Sequence, residues 1–341
     1  MFRTGLVCLS CAGLVLTLAA AAAVTADWPT RPLHTYSIVA RDPATGEMGV
    51  AVQSHWFSVG ALVPWAEAGV GVVATQSFVE AGYGPRGLGL MRSGLAAPAA
   101  LDALLTADPA KDVRQVAFLD AKGNLKAHTG RRCIASAGHH EGAGYSVQAN
   151  MMQSGRVIPA MAKAFEASSG PLAGRLLAAL EAAEAAGGDI RGRQSAALIV
   201  VRAESTGRPW ADRLVDLRVE DHEWPLLELK RLLRVHQAYE EMNLGDLAVE
   251  KSDLAGAQQH YSAAAGILPD NLEIRYWQAV TLATNGHLET AAPIFRDVFA
   301  RDPNWIELTR RLPPSGVIPD TPEGQALVQK ILELAAPRPD P

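Results

Sequence analysis

The sequence predicts an α+β layered domain followed by an all-helical repeat region. Two observations carry this. Between Thr35 and about Glu220, β-branched and aromatic runs of strand length alternate with Ala/Leu-rich runs of helical length. From about Trp224 onward the apolar pattern is helical throughout and recurs every 34 residues. The 341 residues, 48% of them hydrophobic and 20% charged, are enough for two modest cores and too apolar for wholesale disorder. A formal net charge of −5 lacks the basic surplus of a nucleic-acid binder, so no nucleic-acid partner is expected.

The first element is not part of the fold. Arg3 precedes an apolar run from Gly5 to Val24, and Val24-Thr25-Ala26 offers the small residues a signal peptidase reads. Residues 1–26 therefore read as a signal peptide and residues 27–34 as a linker or propeptide. The expected location is periplasmic or secreted, with no stable membrane anchor once the signal is removed. Removal takes Cys8 and Cys11, so Cys133 has no partner for an internal disulfide.

Thr35–Ala40 and Met48–Gln53 flank the turn residues Asp42-Pro43-Ala44-Thr45-Gly46 and read as a hairpin. Gly69–Gln76 is a buried strand and Leu95–Thr106 a helix. Val113–Asp120 and Leu125–His128 form a second hairpin around Ala121-Lys122-Gly123-Asn124, and Tyr145–Asn150 is another strand. Val157–Ala167 and Leu172–Ala186 are helices, the latter stopped by Gly187-Gly188. The strands Ser195–Arg202 and Leu214–Val219 close a domain spanning 35–222.

In the next region, 223–311, Leu254, Ala257, Tyr261 and Pro269 recur as Leu288, Ala291, Phe295 and Pro303, each 34 residues later. That is the period of the tetratricopeptide repeat, a helix–turn–helix unit. The first helices of the two units are expected at about Leu233–Val249 and Leu272–Thr284, with Pro225–Arg234 as a flanking helix. Such a stack offers a surface to a protein or peptide partner, or to a second copy of the chain. Residues 312–341 read as a Pro-rich tail with one short helix near Gln325–Ala335.

Candidate chemistry gathers at one end of the first hairpin. A turn centred near Ala44 places Thr35 opposite Gln53, with Ser54 and His55 beside it. If the chain were cut before Thr35, the freed α-amine, with an ordinary pKa of about 8, could act as base for the neighbouring hydroxyl. Uncut, Thr35 is a strand-forming residue. The segment Gly187–Ser195 is dense in glycine and polar groups; it could line a pocket with backbone N–H groups, or simply cap a helix. Within it, Asp189, Arg193 and Ser195 are the substrate-binding candidates, because a guanidinium can grip a carboxylate. Cys133 reads as a small buried hydrophobe. His128, His139 and His140 lack metal-ligand spacing, so no metal or other cofactor is expected.

The segments His34–Gly60, Gly82–Leu88, Gly144–Met152, Gly187–Leu198 and Asp216–Leu229, in that order, resemble the domain-of-unknown-function family 1028. That family is grouped by fold with the N-terminal-nucleophile (Ntn) hydrolases. The resemblance therefore implies two antiparallel sheets between helix layers, a four-layer sandwich followed here by the helical repeats. It also implies amide-bond cleavage by a Thr, Ser or Cys exposed at a mature N-terminus, and the matching residue is Thr35. Gln53, Ser54 or Asn150 would then offer donors to the oxyanion. Signal cleavage near Ala26 falls eight residues before Thr35, so a second cut between His34 and Thr35 is needed. No lysine occurs between Thr35 and Ala110, which leaves His55 to tune the nucleophile.

Two functional readings follow. The first is an exported Ntn-type amidohydrolase acting on a small amide or peptide. The second is a non-catalytic binding protein that uses the sandwich and the repeats to dock a protein or peptide.

Overall fold

The computed structural model describes residues 35–335. The predicted signal peptide (1–26), the segment 27–34 and the last six residues of the tail lie outside the described residues.

Ten strands make two antiparallel sheets. They are β1 (Thr35–Arg41), β2 (Met48–Ser54), β3 (Pro64–Glu67), β4 (Gly71–Ser77), β5 (Arg114–Asp120), β6 (Leu125–Thr129), β7 (Gly138–Gly142), β8 (Tyr145–Ala149), β9 (Ser195–Val201) and β10 (Arg213–Val219). The larger sheet has the order β10-β9-β2-β1-β8-β7, and the smaller β3-β4-β5-β6. Every described strand pair is antiparallel.

The pleat of β1 explains how the layers form. Successive side chains point to opposite faces of a strand. Val39 turns toward the smaller sheet, where Val50, Val52, Val72, Ala117 and Leu119 close a dry core. Ile38 and Ala40 turn the other way and pack against α3 (Val157–Ala167) and α4 (Leu172–Ala185) through Met161, Phe165, Leu176 and Leu180. The outer face of the smaller sheet is covered by α1 (Tyr83–Arg92) and α2 (Ala97–Ala107), which set Leu88 and Leu101 against Val116 and Phe118.

Helix α1 was not legible in the sequence because it carries three glycines. Two are required by close approach: a Cβ on Gly84 would stand 2.3 Å from the Trp65 ring, and one on Gly87 2.3 Å from Phe118 Cζ. The short edge strands β3 and β7 also escape the pattern, since β7 reads Gly-His-His-Glu-Gly.

After a single turn of helix, α5 (Pro209–Asp212), and strand β10, the chain becomes helical. The segments expected as a flanking helix and as the first repeat helix are one helix, α6 (Pro225–Glu250). Its apolar stripe runs unbroken: Leu226, Leu229 and Leu233 enter the core of the larger sheet, and Ala238 and Met242 pack on α7 (Leu254–Ile267). One rigid element thus links both cores. Helices α8 (Leu272–Thr284) and α9 (Leu288–Arg301) follow. The repeated small and aromatic positions are inside, as their spacing requires: Ala257, Tyr261, Ala291 and Phe295 are all buried. Asp253 caps α7 through Gly256 N–H at 2.9 Å, and Asn271 caps α8 through Ile274 N–H at 3.2 Å.

The tail is more ordered than its prolines suggest. After α10 (Asn304–Arg310), the tail helices α11 (Leu312–Ser315) and α12 (Pro322–Glu333) fold back, and Leu312, Val328 and Ile331 join the α8/α9 core. Among the described residues no helix is long and apolar enough to cross a membrane.

Candidate functional site

The register of the first hairpin decides which side chains meet. Thr35 pairs with Ser54, not Gln53, and Ser54 in turn pairs with Ser195 on β9. The expected pairing was one residue off, and a one-residue slip moves a side chain to the other face of the sheet. Thr35, Ser54 and Ser195 therefore stand in a row across three central strands. Gln53 faces the helices instead, beside its partner Tyr36.

On the inter-sheet face, Thr35 Oγ1 donates to Ser54 Oγ at 3.1 Å, with both residues fully buried. The Thr35 carbonyl accepts from Asn150 N–H at 3.1 Å and from Gln76 Nε2 at 3.2 Å, with Asn150 Nδ2 at 3.5 Å. These two amides converge on Gln115 of the opposite sheet, whose Oε1 accepts from Gln76 Nε2 at 2.7 Å and from Asn150 Nδ2 at 2.9 Å. Gln115 Nε2 reaches Thr129 Oγ1 at 2.9 Å and the carbonyls of Gly138 and Ala149 at 3.0 Å each. A second arm runs from Gln76 Oε1 through Ser37 Oγ at 2.6 Å to Gln148 Nε2 at 2.8 Å. A buried polar seam thus replaces apolar packing between the sheets at the Thr35 end. It is satisfied except at Asn150 Oδ1, which is buried with no hydrogen-bond partner.

Backbone strain gathers at the same end. Of the five non-glycine residues with positive φ among the described residues, Met151 directly follows Asn150 and Ser77 directly follows Gln76. Ser136 accepts from Met152 N–H through its carbonyl, and Ser58 lies in the turn that Ser195 holds. Such conformations cost of order 1–3 kcal/mol each and cluster at functional sites.

The remaining candidates occupy other places. Ser195 Oγ donates to the Trp56 carbonyl and accepts from Val59 N–H at 3.0 Å, so it anchors the turn after β2. Asp189 is a loop organiser: its carboxylate takes His55 N–H at 3.3 Å, Arg191 N–H at 2.9 Å and Arg191 Nη2 at 2.7 Å. His55 Nδ1 hydrogen-bonds to the Arg193 carbonyl at 3.4 Å, facing that loop instead of Thr35. Arg193 lies on the helix side, its Nη1 3.0 Å from Glu184 Oε1 and its guanidinium 3.6 Å above the Trp224 ring. Glu184 Oε2 also accepts from Tyr36 Oη at 2.7 Å. Burial, reinforced by the Glu184 charge, holds the Tyr36 phenol well above its ordinary pKa, so it stays a donor. The Gln53 amide fits this pair with its nitrogen toward Tyr36 Oη and Glu184 Oε2. Gln53 and Arg193 thus share Glu184, on the opposite face from Thr35.

Sequence reasoning missed Ser37, Gln76, Gln115 and Gln148. A signal was present: β4, β5 and β8 each carry one glutamine among apolar neighbours, and an amide inside a strand needs a partner. Cys133 donates to the Arg114 carbonyl at 3.4 Å, and burial raises its thiol pKa, as befits an inert thiol. His139 lies on β7, with Nδ1 2.9 Å from Thr129 Oγ1 at the outer end of the seam.

Comparison with known proteins gives three findings. A family model described as a family of unknown function, DUF1028, matches residues 35–229. The crystal structure of protein SPO2555 from Silicibacter pomeroyi, assigned to the same family model, is similar at 32% sequence identity and a TM-score of 0.53. The likeness covers 59% of this chain and 88% of that one. Among curated proteins no sequence matches.

Proposed function

The chain belongs to the DUF1028 family, and from that premise we propose that it is an exported amidohydrolase of the N-terminal-nucleophile type, freed by cleavage before Thr35. One observation carries the reading: Thr35 opens a central strand with its hydroxyl on Ser54, its carbonyl held by Asn150 and Gln76, and a buried unpartnered acceptor, Asn150 Oδ1, alongside. Two sheets packed face to face with helices on both outer faces are consistent with the four-layer sandwich of that class. The helices that follow match a tetratricopeptide-like stack in period.

The chemistry needs only this chain. The Thr35 Oγ attacks the amide carbonyl carbon, and its proton passes to the new α-amine. The C–N bond breaks as that proton moves to the leaving amine, giving a Thr35 ester. Water, deprotonated by the same amine, then releases the acid and restores the hydroxyl. Ser54 Oγ, and Asn150 Nδ2 on releasing its 3.5 Å bond to the Thr35 carbonyl, are the side-chain donors on the Thr35 face for the developing oxyanion, a role for which one donor is typically worth about 3 kcal/mol. Gln53, on the opposite face, has no part in it. Asp189 and Ser195 hold the loops that frame the site.

The test is hydrolysis of a panel of short amides and peptides by protein processed to Thr35. Replacing Thr35 by Ala should lower any rate at least about a thousandfold; a rate that survives the replacement would contradict the assignment.

A second reading, a non-catalytic scaffold, is favoured by a different observation. A largely apolar cleft of about 420 Å³ opens among α7, α8 and α9, lined by Leu254, Gln258, Leu282 and Thr290. It would seat a protein or peptide, or a second copy of the chain.

A further inference from the structure

A larger cleft, of about 580 Å³, lies between the end of α4, the loop after it and the first turn of α6. It opens on the helix side of the larger sheet, away from the Thr35 hydroxyl. Its volume falls within the range of small-ligand sites.

Its hydrogen-bonding capacity is unevenly used. Both carboxylates in its lining are paired: Glu184 with Arg193 and Tyr36, and Glu181 with Lys230 at 2.9 Å. Arg193 is not used up in the same way. Only its Nη1 is bonded, to Glu184, while its Nε and Nη2 make no hydrogen bond among the described residues. That Nε–Nη2 edge is the fork that matches a carboxylate in a bidentate pair. Stacking on Trp224 fixes the plane of the guanidinium, so little side-chain freedom is lost on binding. Beside it stands an apolar wall that solvent reaches, with Trp224 44% and Leu227 67% exposed.

We propose that this cleft binds a monocarboxylate carried on an apolar body, with the carboxylate on the free edge of Arg193 and the body against Trp224 and Leu227. The free C-terminus of a peptide ending in an apolar residue and a medium-chain fatty acid share this chemistry. The site is distinct from Thr35 and does not depend on the amidohydrolase reading.

The experiment is calorimetric titration of the full chain at low salt with three probes: acetyl-Ala-Leu as free acid, the same dipeptide as its C-terminal amide, and octanoate. The free acid is expected to bind at least about tenfold more tightly than the amide, a difference of about 1.4 kcal/mol. Arg193→Gln should erase that difference. Leu227→Ser, at an exposed position, should weaken binding several-fold with an unchanged thermal midpoint, which keeps the test decisive even if the Arg193 variant folds poorly. Binding of octanoate but not of the dipeptide acid would identify the fatty-acid source. Equal binding of acid and amide, absence of binding at millimolar concentration, or an undiminished preference in Arg193→Gln would each overturn the proposal.

Discussion

Asn150 holds Thr35 by the main chain, its N–H donating to the Thr35 carbonyl at 3.1 Å, while its own side chain is held from the opposite sheet by Gln115 at 2.9 Å. The start of β1 is therefore fixed in three dimensions by a contact that crosses the sandwich. Gln115→Leu would remove one acceptor from the Asn150 and Gln76 amides and one donor from the Thr129 hydroxyl and the Gly138 and Ala149 carbonyls. Each stranded group costs about 1–3 kcal/mol, partly relieved by relaxation. The expected loss is about 3 kcal/mol in denaturant unfolding. A loss below 1 kcal/mol would mean that the seam is not organised through this residue.

Two glycines of α1, two positions apart, make opposite predictions. A Cβ at Gly87 would collide with the Phe118 ring, so Gly87→Ala should destabilise by about 1–3 kcal/mol. A Cβ at Gly89 meets nothing within 4 Å, so Gly89→Ala should stabilise by about 0.5–1 kcal/mol through helix propensity. Thermal melts of the two variants should therefore move in opposite directions.

Asp108 supplies a pH dependence with a definite sign. Burial alone would raise its pKa, but hydrogen bonds from Arg114, Ala110 N–H and Tyr83 outweigh it and leave the carboxyl below its ordinary value. A depressed folded pKa means that the carboxylate stabilises the fold above the unfolded value of about 3.9, and that this contribution fades as pH falls through the folded value. Asp108→Asn should cost about 1–3 kcal/mol at neutral pH and converge with the parent as pH falls through the lowered folded pKa. A constant difference across that range would show that the charge is not what matters.

Much of the fold was legible in the sequence. Strands β1, β2, β8 and β9 and helices α3 and α4 follow from β-branched runs, turn residues and the Gly187-Gly188 stop. The 34-residue period located Ala257, Tyr261, Ala291 and Phe295 in helical cores. Three things were hidden, each for a physical reason. Helix α1 is glycine-rich because it packs backbone-close to Trp65 and Phe118, which lowers the very propensity that would reveal it. The sequence reads α6 as two helices because its stripe serves two cores in succession. The register was hidden because the turn length between β1 and β2 sets it: pairing Thr35 with Ser54 instead of Gln53 sends Gln53 to the helix side, with Tyr36 and Glu184. The glutamines of the seam come from three strands distant in sequence, and only the bonds that join Gln76 to Thr35, Gln115 to Asn150 and Gln148 to Ser37 identify them as a unit.

The most direct test of the central claim is the mature N-terminus, read by intact mass and end-sequencing of protein isolated from the cells that make it and from their surroundings. The account predicts a chain that begins at Thr35, with a free α-amine beside the Thr35 hydroxyl. A chain that begins at Asp27 and stays so would leave Thr35 an internal residue and contradict the N-terminal-nucleophile mechanism.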